Sequence, residues 1–270
     1  MLTAYDYPMA LALDQVGLDI ILVGDSMGEV ELGYDSTRAV TLDMMAHHVR
    51  AVANGATHTH ICGDLPADSY TTPAQAVASA QVLIDAGAHS VKLEGALVPQ
   101  VDAIIAAGIP VMGHVGLLPQ TAEGGYRKHG KTTEEASQLA ADARALDAAG
   151  CYAIVIECVD AEASREITEA VAAPTIGIAA GTDCDGQVLV STDLLGLLPN
   201  PPAFVQARAN LRDIIQGAAA EFAAEVRATA APPGVRAGER PKARKRNRPP
   251  AIAARSQGAG INPTWGRRTR

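Results

Sequence analysis

The stretch QVLIDAGAHSVKLEG, residues 81–95, holds the pattern that decides the fold. It reads as the end of an amphipathic helix, a glycine at position 87, and a short strand-like run closing on two charged residues, Lys92 and Glu94. The phrase recurs along the chain. Gly17, Gly55, Gly87, Gly108 and Gly150 each follow a helical segment and precede LDIILV, THTHIC, HSVKLE, IPVMGH and YAIVIE. A glycine there supplies the left-handed backbone that ends a helix at little cost. Helix starts are marked too: Thr72 with Pro73 and Gln75, and Thr132 with Glu135, pair a capping side chain with a reciprocal partner. Five junctions of one kind predict a parallel sheet, because parallel neighbours need a helical crossover. Strands are expected near 2–4, 19–24, 59–63, 90–94, 109–114, 152–157, 174–178 and 187–191. Eight strands in about 200 residues suit an α/β, closed (β/α)8 TIM barrel better than an open doubly wound sheet. Two places fit less well: the step from GIAAG to QVLVS is too short for a full helix, and the first strand begins almost at Met1.

Composition narrows the class of function. Hydrophobic residues make up 48% of the 270, enough for a large core, while aromatic residues make up only 3%. So few rings argue against base-stacking recognition of nucleic acid, and the core must come from Ala, Val, Ile and Leu. No apolar run reaches membrane-spanning length and the first residues lack the charged and apolar regions of a signal peptide, so a cytoplasmic protein without membrane contact is expected. Cys62, Cys151, Cys158 and Cys184 have no CxxC spacing and read as small buried hydrophobes. The net charge of −8 hides a split: residues 235–270 hold eleven Lys and Arg against one acid, leaving −18 for residues 1–234. Residues 1–228 are therefore read as the barrel and residues 229–270 as a disordered basic tail rich in Pro, Gly and Arg.

Charged residues close the strand-like runs: Asp25 in IILVGDS, Asp64 in HICGDL, Lys92 and Glu94 in SVKLEG, His114 in PVMGH and Glu157 in AIVIEC. In a barrel of this kind, strand ends gather around one mouth, where active sites lie. Two carboxylates from adjacent strands, Asp25 and Asp64, suit a hard divalent cation such as Mg2+, which takes one or two carboxylates plus water and substrate oxygens. Lys92 and Glu94, two apart on one strand, emerge on one face; Glu94 can join the metal shell and Lys92 can neutralise an anionic substrate or enolate oxygen. Glu157, partly buried, suits a general acid or base. His114 fits a structural and a catalytic role equally, whereas His47, His48, His58 and His60 lack zinc spacing and read as packing or surface. These residues alone reach a divalent-metal barrel enzyme acting on a small oxyacid.

Nine stretches resemble the ketopantoate (3-methyl-2-oxobutanoate) hydroxymethyltransferase family: TAYDY at 3–7, LVGDSMG at 22–28, GYDST at 33–37, GDLP at 63–66, VKLEG at 91–95, GHVGLLPQ at 113–120, GGY at 124–126, ECV at 157–159, and IGIAAG with DGQVLV within 176–190. The resemblance runs from residue 3 to about residue 230. It implies a phosphoenolpyruvate/pyruvate-type barrel that moves a one-carbon unit from 5,10-methylenetetrahydrofolate to 3-methyl-2-oxobutanoate, giving 2-dehydropantoate on the pantothenate route through a Mg-stabilised enolate. It further implies that Asp25 and Ser26 hold the oxoacid carboxylate, that Asp25, Asp64 and Glu94 surround the metal, that Asp64 and Lys92 contact substrate, and that Glu157 accepts the proton. A homo-oligomer, of ten subunits in many members, is implied as well. The chain departs from the family pattern in three ways: about twenty residues expected before TAYDY are missing, Ala179 stands where a glycine is usual, and the segment from Gln120 to Gly124 is short. Two other readings stay open, a metal-dependent lyase or mutase of the same barrel superfamily and a truncated, inactive homologue. Against the lyase, no cysteine sits in a KCGH-like nucleophilic loop.

Overall fold

Each expected helix-to-strand junction is present in the computed structural model, which describes residues 1–122 and 126–230. The strands are β1 (Leu2–Thr3), β2 (Ile20–Val23), β3 (His60–Asp64), β4 (Ser90–Lys92), β5 (Val111–Gly116), β6 (Ala153–Glu157), β7 (Thr175–Ile178) and β8 (Gly186–Gln187). The helices are α1 (Tyr7–Leu13), α2 (Met27–Val30), α3 (Leu42–Gly55), α4 (Pro73–Asp85), α5 (Val98–Ala106), α6 (Thr133–Ala148), α7 (Ala161–Ala170), α8 (Ser191–Leu194) and α9 (Leu211–Ala230). The strands lie in sequence order and every pairing is parallel. A parallel bridge between Leu2 and Leu189 joins the last strand to the first. There the Thr3 amide donates to the Leu189 carbonyl at 3.2 Å, and the Ser191 amide donates to Thr3 Oγ1 at 3.0 Å. The eight strands thus form a (β/α)8 barrel, and as expected no helix intervenes between β7 and β8.

Strand alternation sorts the side chains into two cores. Ile21, Val23, Ile61, Val91, Val111, Ile154 and Ile156 point outward and pack under the helices, in a cluster with Val49, Leu83, Ile104, Leu146 and Ile167. Leu22, Cys62, Met112, Ala153, Val155, Ile176 and Val188 point inward and fill the barrel. The inner apolar layer fixes what comes next along each strand. Two residues beyond Cys62 is Asp64, two beyond Met112 is His114, and two beyond Val155 is Glu157. The same parity that buries the inner core therefore points the charged groups into the mouth.

Local signals read from the sequence hold with two shifts. Thr72 Oγ1 accepts from the Gln75 amide and Thr132 Oγ1 from the Glu135 amide, both at 3.2 Å, but the reciprocal bonds fall one residue earlier, on the Thr71 and Lys131 amides. Gly17, Gly87, Gly108 and Gly150 have positive φ, as a left-handed helix end requires. Gly55 does not; it is the last residue of α3, and a Cβ there would come within 2.5 Å of the Tyr7 carbonyl oxygen. Its role is close approach of α1 to α3. Cys62 and Cys151 are buried as expected, whereas Cys158 and Cys184 are only half-buried. Met1–Ala218 forms one compact unit and a second begins at Ala219. Of the tail expected over 229–270, the first two residues close α9 and residues 231–270 lie outside the described residues. Among the described residues, no helix is long and apolar enough to cross a membrane.

Candidate active site

A cavity of about 590 Å3 opens at the carboxyl ends of the strands, and Asp25, Ser26, Asp64, Lys92, Glu94, His114 and Glu157 all line it. Every site residue expected from the sequence is therefore brought to one place. Asp25 lies two residues past β2, Asp64 and Glu157 close β3 and β6, and His114 lies within β5. The expectation that Lys92 and Glu94 share a strand is only half met: β4 ends at Lys92, and Glu94 stands in the turn just beyond. Both side chains nonetheless reach the cavity.

Charges are packed closely there. The Lys92 ammonium lies 2.9 Å from Asp64 Oδ1, with both side chains buried. The Asp25 amide donates to Asp64 Oδ2 at 3.1 Å. Burial, together with the Asp64 charge, pushes the Asp25 carboxyl up to about 7, and burial pushes Glu94 up to about 8. For Lys92 burial alone would lower the pKa, but Asp64, Glu94 and Asp25 override it and hold the amine firmly protonated. His114 Nδ1 stands 3.5 Å from Lys92 Nζ, and Nε2 stands 3.2 Å from Glu157 Oε2. An ammonium can only donate, so Nδ1 is the accepting nitrogen and the ring proton sits on Nε2, which is buried and makes no hydrogen bond among the described residues although Glu157 Oε2 stands 3.2 Å away. Burial and the Lys92 charge lower the His114 pKa, which keeps the ring neutral. Glu157 is the more open of the two, its side chain 22% exposed.

Sequence reasoning missed Gln120, which sits at the end of the quoted GHVGLLPQ stretch without a role. Its buried side-chain amide donates to Asp25 Oδ2 at 2.7 Å and to the Leu65 carbonyl at 2.9 Å, and its carbonyl accepts from the Tyr70 hydroxyl. The backbone amide of the same residue donates to Glu94 Oε2 at 3.1 Å, while Arg38 Nε holds its backbone carbonyl at 2.7 Å. One residue thus grips one oxygen of each of two carboxylates. Tyr5 similarly hydrogen-bonds Ser26 Oγ at 3.0 Å.

The donor set fits a hard divalent cation. Asp64 Oδ1 is buried and faces only the Lys92 ammonium, 2.9 Å away, with no other hydrogen-bond donor on it among the described residues. Asp25 and Glu94 each offer a second oxygen that Gln120 leaves free. Among the described residues, no three His, Cys, Asp or Glu side chains form a ready-made metal cage. Asp25, Asp64 and Glu94 would thus hold Mg2+ only with water or substrate oxygens completing its shell.

A family model described as ketopantoate hydroxymethyltransferase matches residues 1–233. The 3-methyl-2-oxobutanoate hydroxymethyltransferase of Ignicoccus hospitalis is 52% identical over 232 residues, covering 84% of this chain and 88% of the relative. That of Moorella thermoacetica is 50% identical over 234 residues, covering 84% and 87%. Among solved structures, a 2,3-dimethylmalate lyase of the PEP mutase/isocitrate lyase superfamily has a TM-score of 0.53 at 18% identity, covering 89% of this chain and 86% of that one. A phosphonopyruvate hydrolase solved with oxalate and Mg2+ has a TM-score of 0.56 at 14% identity, covering 85% and 82%. At such low identity these two share the fold alone.

Proposed function

This chain belongs to the ketopantoate hydroxymethyltransferase family, and from that premise we propose that it transfers a hydroxymethyl group from 5,10-methylenetetrahydrofolate to 3-methyl-2-oxobutanoate, giving 2-dehydropantoate for pantothenate synthesis. Membership makes it a one-carbon transferase, which removes the case for a lyase or mutase. The observation that carries the finer reading is the meeting of Asp25, Asp64, Lys92, Glu94 and the His114–Glu157 pair in one cavity.

Asp25 and Asp64, with Glu94 directly or through water, would hold a divalent cation. Such a cation supplies Lewis-acid polarisation of the oxoacid's carbonyl. Ser26, oriented by Tyr5, and the Asp25 backbone border the space for the oxoacid carboxylate. Lys92 places a fixed positive charge against the oxygen that becomes negative as C3 loses its proton. Glu157 takes that proton, with the neutral His114 ring 3.2 Å from its carboxylate. The C3 carbanion equivalent forms a carbon–carbon bond to the donor's methylene carbon. One water is consumed overall, its oxygen becoming the new hydroxyl as tetrahydrofolate leaves. Cytoplasmic location, assembly as a homo-oligomer and a catalytic unit confined to the barrel complete the proposal.

The test is C3 proton exchange, which needs no folate. Glu157→Gln should keep oxoacid binding yet lose exchange of the C3 proton with D2O by NMR, at least about a hundredfold given the usual worth of a general base. Unaltered exchange would remove Glu157 from that role. Folate-dependent consumption of 3-methyl-2-oxobutanoate by the wild-type protein tests the overall reaction.

A further inference from the structure

The mouth of the barrel holds two carboxylates that the chemistry above does not use: Glu29, which accepts from the Tyr126 hydroxyl at 3.2 Å, and Asp193. Asp193 lies in the short helix α8, just past the last strand, and lines the same cavity. The residue is only 6% exposed. Among the described residues its carboxylate has neither a hydrogen bond nor a cation; the bonds of this residue run through its backbone, from its amide to the Val190 carbonyl and from the Gly196 amide to its own carbonyl, both at 3.1 Å.

Helix capping does not explain it. An acid in the first turn usually finds the free amides of the helix start. Here the Asp193 carboxylate accepts from none of them: the Ser191 amide goes to Thr3 Oγ1 at 3.0 Å, the Asp193 and Leu194 amides to the Val190 carbonyl and the Leu195 amide to the Ser191 carbonyl, while the Thr192 amide is left without a partner among the described residues. Burial pushes the carboxyl of Asp193 upward with no opposing partner. A carboxylate only 6% exposed, on the cavity wall and without a hydrogen bond among the described residues, is open to a donor that enters the cavity, whether water or a ligand.

The neighbours say what kind of partner. Leu198, Pro202, Phe204 and Val205, from the segment after α8, and Val188 and Leu189, before it, line the same cavity. Largely apolar walls, with Asn200 their one amide and Asp193 their carboxylate, suit a flat ring whose edge carries N–H donors. An anion does not suit, because it would meet an uncompensated negative charge. The oxoacid therefore belongs near Lys92 and not near Asp193.

We propose that Asp193 anchors the one-carbon donor, its two oxygens accepting the adjacent N–H groups of an amidine-like heterocyclic edge, as found on the 2-amino-4-oxo face of a pterin ring. This rests on the folate-dependent reading of the preceding subsection.

Titration calorimetry with tetrahydrofolate and, separately, with 3-methyl-2-oxobutanoate, both in the presence of Mg2+, tests it. Losing a paired hydrogen bond to a charged group should weaken tetrahydrofolate by roughly tenfold to a hundredfold in Asp193→Asn. Oxoacid affinity should stay within about twofold, because the two ligands occupy different walls. Wild-type protein should lose a similar factor with a tetrahydrofolate analogue lacking the 2-amino group, and this comparison decides the matter even if the variant does not fold. Equal tetrahydrofolate affinity in Asp193→Asn, or no preference of the wild type for the amino compound, overturns the assignment. Wild-type protein that binds the oxoacid but no tetrahydrofolate overturns the folate-dependent reading itself.

Discussion

Replacing Gln120 by methionine keeps nearly the same volume while deleting every side-chain hydrogen bond at the junction of the mouth. Three bonds go: to Asp25 at 2.7 Å, to the Leu65 carbonyl at 2.9 Å, and from the Tyr70 hydroxyl. A bond to a charged acceptor contributes about 1.5–3 kcal/mol and a neutral one about 0.5–1.5 kcal/mol, and all three partners are left buried and unpaired. Some of this returns because a thioether is easier to bury than an amide, so the expected loss is about 2–4 kcal/mol. For about 220 folded residues that is a fall in Tm of roughly 5–15 °C by circular dichroism. Cation binding should change too. Burial and the Asp64 charge push the Asp25 carboxyl up to about 7, and the Gln120 bond is one of the effects opposing that rise. Removing the bond raises the pKa further, so more Asp25 is protonated at neutral pH and Mn2+ affinity, read by paramagnetic resonance, should fall about tenfold. Because a raised carboxyl pKa is an ionisation delayed to higher pH, most of this deficit should disappear by about pH 9. The Glu94 contact comes from the Gln120 backbone and should survive. A variant within about 2 °C and twofold of wild type would mean that Gln120 neither braces the mouth nor positions Asp25.

Three other outcomes follow from the same structure. Lys92→Met removes the only ammonium among Asp25, Asp64 and Glu94 in the described site, which should cost about 3–5 kcal/mol and make millimolar Mg2+ raise Tm more in the variant than in wild type; equal Mg2+ gains in both would discount the electrostatic account. Asp14 accepts amides from Thr57, His58 and Thr59 at 2.8–3.0 Å, and the Thr57 bond, with the His58 side chain, holds its carboxyl well below the ordinary range. Its stabilising effect is thus fully present above the unfolded value of about 3.9 and fades as pH falls below it, so the Tm gap between wild type and Asp14→Asn should narrow in acid; a constant gap from pH 7 to pH 3 would contradict this. Gly55→Ala should be far worse than Gly17→Ala: the first forces a Cβ to 2.5 Å from a backbone oxygen, while the second meets nothing and bears only the left-handed strain of about 1–2 kcal/mol. Urea melts giving equal losses would refute the close-packing role of Gly55.

Much of the barrel was legible because its signals are local. A helix end, a glycine and a β-branched run lie within about fifteen residues of one another, and parity along a strand carries an inner core residue such as Met112 to a mouth residue such as His114. The expectation failed where a local signal had two physical causes. Gly55 looks like Gly87 in sequence, yet one is required for contact with α1 and the other for its positive φ. Glu94 was placed on the strand with Lys92 because a two-residue spacing does not reveal that the ladder stops first.

The mouth was legible in its charges and not in what holds them. Asp25, Asp64, Lys92 and Glu157 stand out because a charge closing an apolar run demands a reason, whereas Gln120 is an uncharged residue after a proline, 95 positions from the carboxylate it grips. No periodicity links the two; the contact exists because the turn after β5 folds back across the ends of β2 and β4. Asp193 was hidden for the opposite reason. In sequence it is one more acid at the start of a helix, and only the lack of any hydrogen bond to its carboxylate among the described residues shows that it does not cap that helix. What sequence cannot display is satisfaction: whether a polar atom already has its partner. That is what separates the carboxylates braced by Gln120 and Lys92, which the chain supplies with partners, from the one at Asp193, which among the described residues it leaves for a ligand.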